Sequence, residues 1–287
     1  MNAVYLNGTF MRSDEARISA FDQGLLYGDG IYETFRSIGD QLYQFPQHFQ
    51  RLVQSAQALN YPLTYTQAEL EAILLELRRR NHLQNAYFRI TITRGQGEIG
   101  FQRSIENDLT CLIVGREFKA FNSASYISGI PLRVATTRRN APEAINPMIK
   151  SISNLNSLLG RLEAKAAGVP EVIMLNNKKE ICEGSASNIF WTRGRWVFTP
   201  SAATGLLEGV TRATIMRLCE EKLNLRVITG EFKLQDLKFS DEVFITSTSL
   251  EVMPVIQVED FVINQGKVGP LAHDLRQELH RDMGLTN

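Results

Sequence analysis

Strand-like and helix-like patterns alternate along this chain of 287 residues, and this alternation favours a mixed α/β fold. Runs rich in β-branched and aromatic residues predict strands at residues 4–7, 31–38, 41–45, 86–93 and 109–114. Apolar residues at spacings of three and four predict two helices with buried stripes: Phe49, Leu52, Ala56 and Leu59 after Pro46, then Leu70, Ile73, Leu74 and Leu77. The N-terminal part should therefore form a layered α/β domain.

A polar, small-residue stretch at 119–129 interrupts this pattern and predicts a linker. It would join a small α/β domain, residues 1–118, to a larger C-terminal domain, residues 130–287. Strands are predicted there at 131–137, 171–175, 188–192, 196–199, 226–229 and 242–246, and helices at 156–167, 211–222 and 271–283. The expected fold class is α/β (α+β), with two domains and a short linker.

Composition narrows the kinds of partner. Apolar residues make up 44% of the chain, which is enough for a well-buried core. Lysine plus arginine equals aspartate plus glutamate at 31 each, so no global field favours nucleic acid or a membrane surface, and we expect a small-molecule partner. No run approaches the roughly 20 apolar residues of a membrane span.

Cysteine spacing and the N-terminal residues bear on the compartment. Cys111, Cys182 and Cys219 are widely spaced and odd in number, which argues against a disulfide framework and against a zinc site. The first residues carry neither a basic flank nor a long apolar stretch, so we expect no export. These features predict a cytoplasmic protein without a metal site.

Four polar motifs follow one another in the C-terminal half. They are Met148-Ile149-Lys150-Ser151, Asn154-Leu155-Asn156-Ser157, Glu183-Gly184-Ser185-Ala186-Ser187-Asn188, and Leu207-Glu208-Gly209-Val210-Thr211-Arg212. The ordered set resembles the class IV aminotransferases, the fold type IV pyridoxal-phosphate enzymes, which include branched-chain aminotransferases, D-amino acid aminotransferases and aminodeoxychorismate lyases. The resemblance covers nearly the whole chain, including residues 22–33 and 266–270, and it implies fold type IV and pyridoxal 5′-phosphate as cofactor.

Pyridoxal phosphate requires an amine for its aldehyde, an acid for its ring nitrogen and donors for its phosphate. The resemblance implies that Lys150 supplies the amine and carries protons, and that Glu183 pairs with the ring nitrogen. Ser187 and Asn188 would contact the cofactor from the same turn, and Leu207 would pack on the ring. By themselves these residues also fit a solvated lysine and an ordinary polar turn.

Phosphate binding is predicted at Gly209, Val210 and Thr211, where a glycine turn opens a helix whose free N–H groups suit an anion. Ser247 and Thr248, after an apolar strand, would add hydroxyls and amides; a plain helix cap or turn is the alternative. The His-x-x-Arg-Leu motif of the family is matched by residues 48–52, which implies that Arg51 clamps the phosphate. Helix geometry alone equally allows Arg51 a surface salt bridge.

Substrate contacts are implied for Tyr32, Arg36, Tyr87 and Arg89, because these positions match pocket residues of branched-chain aminotransferases. An arginine there could bind an α-carboxylate as a fork. Ser249 is also predicted to contact the substrate, so an amino acid and a 2-oxo acid are the expected small-molecule partners.

Two departures keep other members of the family open. Leu155 stands where branched-chain enzymes have a tyrosine, and a leucine at this position is closer to the D-amino acid enzymes. The Arg-x-His pair of the D-amino acid enzymes is, however, absent from this chain. The spacing Arg94-Gly95-x-Gly97-x-x-Gly100-Phe101 is similar to a lyase loop, and Thr34 also suits a lyase.

The leading hypothesis is an aminotransferase acting on branched-chain L-amino acids with 2-oxoglutarate. The alternatives are an aminodeoxychorismate lyase that forms 4-aminobenzoate and pyruvate, a D-amino acid aminotransferase, and a cofactor-binding protein that has lost its chemistry. The resemblance also implies a homodimer. No basic, aromatic-interleaved stretch suggests nucleic-acid binding.

Overall fold

The computed structural model describes residues 2–100 and 108–285, and these form two compact units. The first unit reaches Phe118 and also includes Ile149–Ser153; the second contains Lys119–Met148 and the chain from Asn154 onward. The segment with Lys150 therefore groups with the first unit, whereas the sequence analysis assigned it to the C-terminal domain. The reason is its backbone pairing, since Tyr32 N–H donates to the Lys150 carbonyl and Ile152 N–H to the Gly30 carbonyl, both at 2.9 Å.

Six strands form the sheet of the first unit within the described residues, in the order β2-β1-β6-β5-β3-β4. They are β1 (Ala3–Leu6), β2 (Thr9–Arg12), β3 (Gly30–Ile38), β4 (Gln41–Leu42), β5 (Ala86–Thr93) and β6 (Thr110–Glu117). All neighbouring pairs are antiparallel. Because side chains alternate along each strand, Ile31 and Phe35 of β3 lie in the apolar core, while Tyr32, Thr34 and Arg36 lie on the opposite face.

Three helices accompany this sheet in the described part of the unit: α1 (Gln23–Tyr27), α2 (Phe45–Ala58) and α3 (Gln67–Arg80). The core contains Phe45, Leu52 and Ala56 from α2 and Leu70, Leu74 and Leu77 from α3. Thr66 and Glu69 form a capping box at the start of α3, which explains why the helix begins there.

A larger mixed sheet organises the second unit. Its order is β12-β11-β10-β13-β14-β7-β8-β9, with β15 paired to β14. The strands are β7 (Ile130–Val134), β8 (Glu171–Leu175), β9 (Ile181–Gly184), β10 (Asn188–Arg193), β11 (Trp196–Pro200), β12 (Arg226–Gly230), β13 (Glu242–Ser247), β14 (Glu251–Val258) and β15 (Phe261–Val262). The helices are α4 (Ser123–Ser128), α5 (Leu155–Ala166), α6 (Val210–Glu221) and α7 (Pro270–Asp282).

Short 3-10 turns occupy Ala202–Thr204, Leu234–Phe239 and Asn264–Gly266. No helix of the described residues is both long and apolar enough to cross a membrane.

Several elements differ from the sequence expectation. The strand predicted at 41–45 is limited to Gln41–Leu42, because Phe45 already begins α2 with Pro46 in its first turn. The stretch predicted as a linker contains α4, whose first turn is capped by Asn122. The sequence analysis also missed β2, β9, β14 and β15, and it treated the Glu183 region as a turn, whereas Glu183 lies in β9.

Candidate active site

Lys150 lies beside β3, and its backbone is fixed by the first unit. Its N–H donates to the Ser55 hydroxyl of α2 at 3.1 Å, and its carbonyl accepts from Tyr32. Ser151 forms an isolated bridge with Ile31. These contacts set the backbone direction from which the lysine side chain projects.

Two cationic side chains meet at the Tyr32 ring. The Lys150 Nζ lies 4.5 Å from the ring centroid, and the Arg89 Cζ lies 3.9 Å from it. Strand register explains the contact with Arg89, because Arg89 is opposite Thr34 and so diagonal to Tyr32 on one face of the sheet. The first unit therefore places the reactive-amine candidate and a guanidinium on the same aromatic ring.

The other predicted substrate residues of the first unit share this face. Arg36 is opposite Tyr87 in the β3–β5 pair. The Arg36 guanidinium is buried and stacks 3.4 Å above the Phe118 ring, and Arg116 lies 4.8 Å above the Tyr87 ring. The sheet thus brings Tyr32, Arg36, Tyr87 and Arg89 onto one cationic, aromatic face.

Arg51 forms a buried ion pair on the opposite face of β3. Its Nε and Nη2 donate to the two oxygens of Glu33 at 2.7 and 2.8 Å, a bidentate arrangement. His48, one turn earlier on α2, contacts the same carboxylate through Nδ1 at 2.8 Å. The structure thus gives Arg51 a partner that the sequence analysis did not name, and its contact with phosphate stays a prediction.

This cluster has defined protonation. Burial alone would raise the pKa of Glu33, but the hydrogen bonds from Arg51 and His48 outweigh it and lower the pKa to about 2. Burial lowers the pKa of His48 despite its contact with Glu33, and the Arg51 and Lys150 charges act in the same direction. At neutral pH the cluster therefore holds an ionised Glu33, a cationic Arg51 and a neutral His48.

Arg94, the first residue of the lyase-like segment, is enclosed by the first unit. Its Nε donates to Asp29 at 2.9 Å, its Nη2 donates to the Leu59 carbonyl at 2.7 Å, and its guanidinium lies over the Tyr61 ring. These contacts give Arg94 a structural role at the end of β5. Phe101, the last residue of that segment, lies outside the described residues.

Glu183 lies near the end of β9 in the second unit, with partners on both carboxylate oxygens. Arg139 Nη2 contacts Oε1 at 2.7 Å, whereas Oε2 accepts from Leu207 N–H at 3.2 Å and from Asn188 Nδ2 at 3.4 Å. The Asn188 side chain also donates to the Leu207 carbonyl at 3.0 Å. The second unit therefore joins three residues predicted for the site: Glu183, Asn188 and Leu207.

A second buried carboxylate shapes the turn that follows Glu183. Glu171 accepts from the Ser185 hydroxyl at 2.5 Å, from the Ser187 hydroxyl at 3.3 Å, and from the backbone N–H groups of Ser185 and Ala186. The Ser187 hydroxyl, predicted to contact the cofactor, is thus used within the turn. Its contact with the cofactor stays a prediction.

Gly209 precedes α6 as the sequence predicts. Its φ of −67° suits any residue, but a Cβ added there would lie 2.3 Å from Asn188 Oδ1, so close packing explains the glycine. Within the described residues, neither a side-chain cap nor an acidic residue occupies the first turn, so Val210 and Thr211 open a helix end suited to an anion.

Ser247 ends β13, and Thr248 and Ser249 follow it in the turn to β14. The Ser247 hydroxyl accepts from Leu250 N–H at 3.1 Å and lies 3.4 Å from the Ser249 hydroxyl. The preceding residue, Thr246, pairs with Asn188 across β13 and β10. This register places the serine-threonine turn beside the strand that begins with Asn188.

The three cysteines are poor nucleophiles. Cys111, Cys182 and Cys219 are free and buried, and burial raises the pKa of each thiol to about 12. In the part of the chain that the structure describes, no cluster of histidine, cysteine, aspartate or glutamate could hold a metal ion.

The family model for amino-transferase class IV matches residues 30–258. A putative branched-chain-amino-acid aminotransferase of Methanocaldococcus jannaschii is 34% identical over 96% of this chain and 94% of its own length. An aminodeoxychorismate lyase of Bacillus subtilis is 31% identical, with 97% and 93% covered. A T.th. branched-chain amino acid aminotransferase, solved with pyridoxamine 5′-phosphate, superimposes with a TM-score of 0.93 at 27% identity, over 99% of this chain and 95% of that one.

The chain belongs to the class IV aminotransferase family. It has the family's fold type IV and is a transaminase that uses pyridoxal phosphate. Its residues fit that cofactor: Lys150 offers an amine on a fixed backbone, Glu183 is a buried carboxylate paired with Arg139, and Gly209 keeps space beside Asn188 at the start of α6.

Sequence reasoning missed three residues that belong with the class IV motifs in the structure. Glu33 pairs with Arg51, Arg139 pairs with Glu183, and Glu171 shapes the turn after Glu183. Glu171 carried a signal, since it is a charged residue at the start of the apolar run Val172–Leu175. Arg139 carried none beyond its position in a polar segment upstream of Lys150.

Proposed function

We propose that this class IV aminotransferase moves the amino group of a branched-chain L-amino acid to a 2-oxo acid such as 2-oxoglutarate. The contact of Lys150 and Arg89 with one ring, that of Tyr32, carries the proposal. An α-amino acid has its carboxylate one bond from the reacting carbon, so a guanidinium near the lysine amine suits that substrate class. The branched-chain names of the Methanocaldococcus jannaschii relative and of the solved T.th. enzyme support the choice of side chain.

Each residue of the site has a separate task. When bound, pyridoxal phosphate draws electrons from the substrate α-carbon. Lys150 takes the proton from that carbon and returns it elsewhere on the reacting system. Glu183 keeps the ring nitrogen protonated, and Leu207 packs on the ring. The proposed phosphate ligands are Arg51, Gly209, Val210, Thr211, Ser247 and Thr248, with Ser187 and Asn188 as further cofactor contacts.

Substrate recognition is assigned to the cationic face of the first unit and to the turn after β13. Arg89 binds the α-carboxylate, and Tyr32 orients Arg89 beside Lys150. Tyr87, Arg36 and Ser249 complete the substrate contacts. The enclosed position of Arg94 supports transamination over the lyase reaction, because Asp29 and the Leu59 carbonyl orient its guanidinium within the first unit.

The lyase reaction is the second candidate, because the Bacillus subtilis relative carries that name. A D-amino acid donor is the third. All three reactions begin with loss of a proton from the α-carbon, so Lys150 and Glu183 serve each of them. Substrate trials therefore have to separate them.

We also propose that the protein is a homodimer in the cytoplasm. An exposed apolar stripe on α5, formed by Leu155, Leu158, Leu159 and Leu162, supports the dimer because leucines at this spacing line one side of a helix. Three free cysteines support a reducing compartment.

The experiment is steady-state turnover with purified, cofactor-loaded protein. Wild type should convert L-leucine and 2-oxoglutarate to glutamate and the leucine-derived 2-oxo acid, and Lys150→Ala should lose the activity. Formation of 4-aminobenzoate and pyruvate from aminodeoxychorismate, without transamination, would replace the proposal with the lyase. Substantial transamination by Lys150→Ala would contradict the role of the lysine.

A further inference from the structure

Arg139 is held on both sides by side chains of the second unit. Its Nη2 contacts Glu183 Oε1 at 2.7 Å, and its Nη1 donates to Asn156 Oδ1 at 3.0 Å and to Ser157 Oγ at 3.1 Å. Arg139 Nε is buried and has no hydrogen-bond partner among the residues that the structure describes. The guanidinium is therefore oriented by its two terminal nitrogens alone.

The backbone on either side of this contact is fixed. Arg139 N–H donates to the Leu175 carbonyl at the end of β8, at 2.9 Å. Asn156 and Ser157 lie in the first turn of α5, and Asn156 Nδ2 donates to the Arg138 carbonyl at 2.7 Å. Asn156 thus ties the start of α5 to both the main chain and the side chain of the arginine segment.

We propose that Asn156 and Ser157 are positioning residues for the cofactor, and that they act through Arg139 on Glu183. This inference rests on the proposed role of Glu183 at the ring nitrogen. A buried carboxylate needs a charged partner to remain ionised, and its direction decides how well it meets the ring nitrogen. Arg139 supplies the positive charge, while Asn156 and Ser157 fix the orientation of its guanidinium toward Glu183.

We call the contacts from Asn156 and Ser157 through Arg139 to Glu183 the relay. Substitution of Arg139, or of Asn156 and Ser157, should weaken cofactor binding although none of these side chains contacts the cofactor in this proposal. Residues that orient a metal ligand through a hydrogen bond contribute about 10–100-fold to metal affinity. By analogy we expect about tenfold weaker cofactor binding in Arg139→Gln. The double variant Asn156→Ala/Ser157→Ala should weaken binding to a similar extent. Each variant should also change the circular dichroism of the bound cofactor, because Glu183 no longer holds the ring at one angle.

The decisive test is a thermodynamic cycle on cofactor affinity, measured by equilibrium titration of apoprotein with pyridoxal phosphate. If Asn156 and Ser157 act through Arg139, their double substitution should add less than about twofold in an Arg139→Gln background. Fully additive effects would overturn the relay, as would wild-type affinity and circular dichroism in Arg139→Gln.

Three controls keep the outcome interpretable. Arg133→Gln removes a cation from β7 whose partner is the half-exposed Glu259, and it should leave cofactor affinity unchanged. Arg139→Lys retains the charge with fewer donors and should recover part of the affinity; it also serves as the background for the cycle if Arg139→Gln does not fold. Failure of the proposed function would appear separately, as wild-type protein that binds cofactor but converts no amino acid.

Discussion

Glu33 is the shared carboxylate partner of two other buried residues, Arg51 and His48. It neutralises Arg51 and accepts from His48, and all three side chains are buried. Removing one member of such a cluster leaves a buried charge without compensation, which typically costs about 3–5 kcal/mol. Glu33→Gln should therefore lower the free energy of unfolding by about 3 kcal/mol at neutral pH, measured by urea denaturation.

The same residue predicts a dependence on pH. Its pKa is about 2 in the folded protein against an ordinary 4.5, so its stabilising effect is fully present above about pH 5 and disappears as pH falls toward 2. The difference in unfolding free energy between wild type and Glu33→Gln should shrink over this range. Glu71→Gln, which removes a carboxylate of α3 that accepts from the Gln67 side chain, is the control. A difference that stays constant from about pH 5 to about pH 3 would contradict the assignment.

Gly209 illustrates a requirement for space. Its backbone angles suit alanine, but the added Cβ would meet Asn188 Oδ1 at 2.3 Å. Because Asn188 also contacts Glu183 and Leu207, Gly209→Ala should weaken cofactor affinity by about tenfold, and Asn188→Ala should make the second substitution nearly harmless. Titration of wild type, the two single variants and the double variant with pyridoxal phosphate measures this coupling. Equal effects of Gly209→Ala with and without Asn188 would refute it.

Short sequence motifs allowed Lys150, Glu183 and Gly209 to be named as candidate site residues. The sequence predicts a helix from about Thr211, and α6 begins one residue earlier, at Val210. The roles of Lys150, Glu183 and Gly209 at the cofactor stay predictions. The partners of these residues could not be predicted in the same way. Arg139 and Glu183 are 44 positions apart; the Arg139 N–H donates to the Leu175 carbonyl at the end of β8, and β8 pairs with β9, which contains Glu183.

At the scale of elements, the stability of α3 depends on the capping box at its first turn. Thr66 accepts from Glu69 N–H at 3.3 Å, and the Glu69 carboxylate accepts from Thr66 N–H at 2.7 Å. Thr66→Ala should lower the free energy of unfolding by about 1 kcal/mol, whereas Thr64→Ala, two residues before the cap, should have little effect. Equal stability of the two variants in thermal unfolding would show that the cap contributes nothing.

Elements with a clear period were predictable, and those with ambiguous patterns were not. Residues 86–93 alternate core and opposite-face positions, and the predicted strand matches β5. The strand β14 was missed because Pro254 interrupts Glu251–Val258, and proline usually argues against a strand inside a sheet. In the structure Pro254 nevertheless lies within β14, opposite Phe244 of β13.

At the scale of the whole molecule, the apolar stripe of α5 predicts self-association. Leu159 and Leu162 are 42% and 53% exposed, and arginine at both positions should make burial of this stripe unfavourable. Sedimentation should show a dimer for wild type and a shift toward monomer for Leu159→Arg/Leu162→Arg. Val262→Arg, at an exposed apolar position on β15, should remain dimeric. A monomeric wild type would contradict the homodimer.

The central claim is that this chain performs an amino-transfer half-reaction on a branched-chain L-amino acid. The most direct measurement is the visible absorbance of the cofactor-loaded protein before and after addition of L-leucine, with no 2-oxo acid present and with D-leucine as control. We predict loss of the band with L-leucine and release of one equivalent of the matching 2-oxo acid per site. An unchanged band with L-leucine, or a response to D-leucine alone, would contradict the claim.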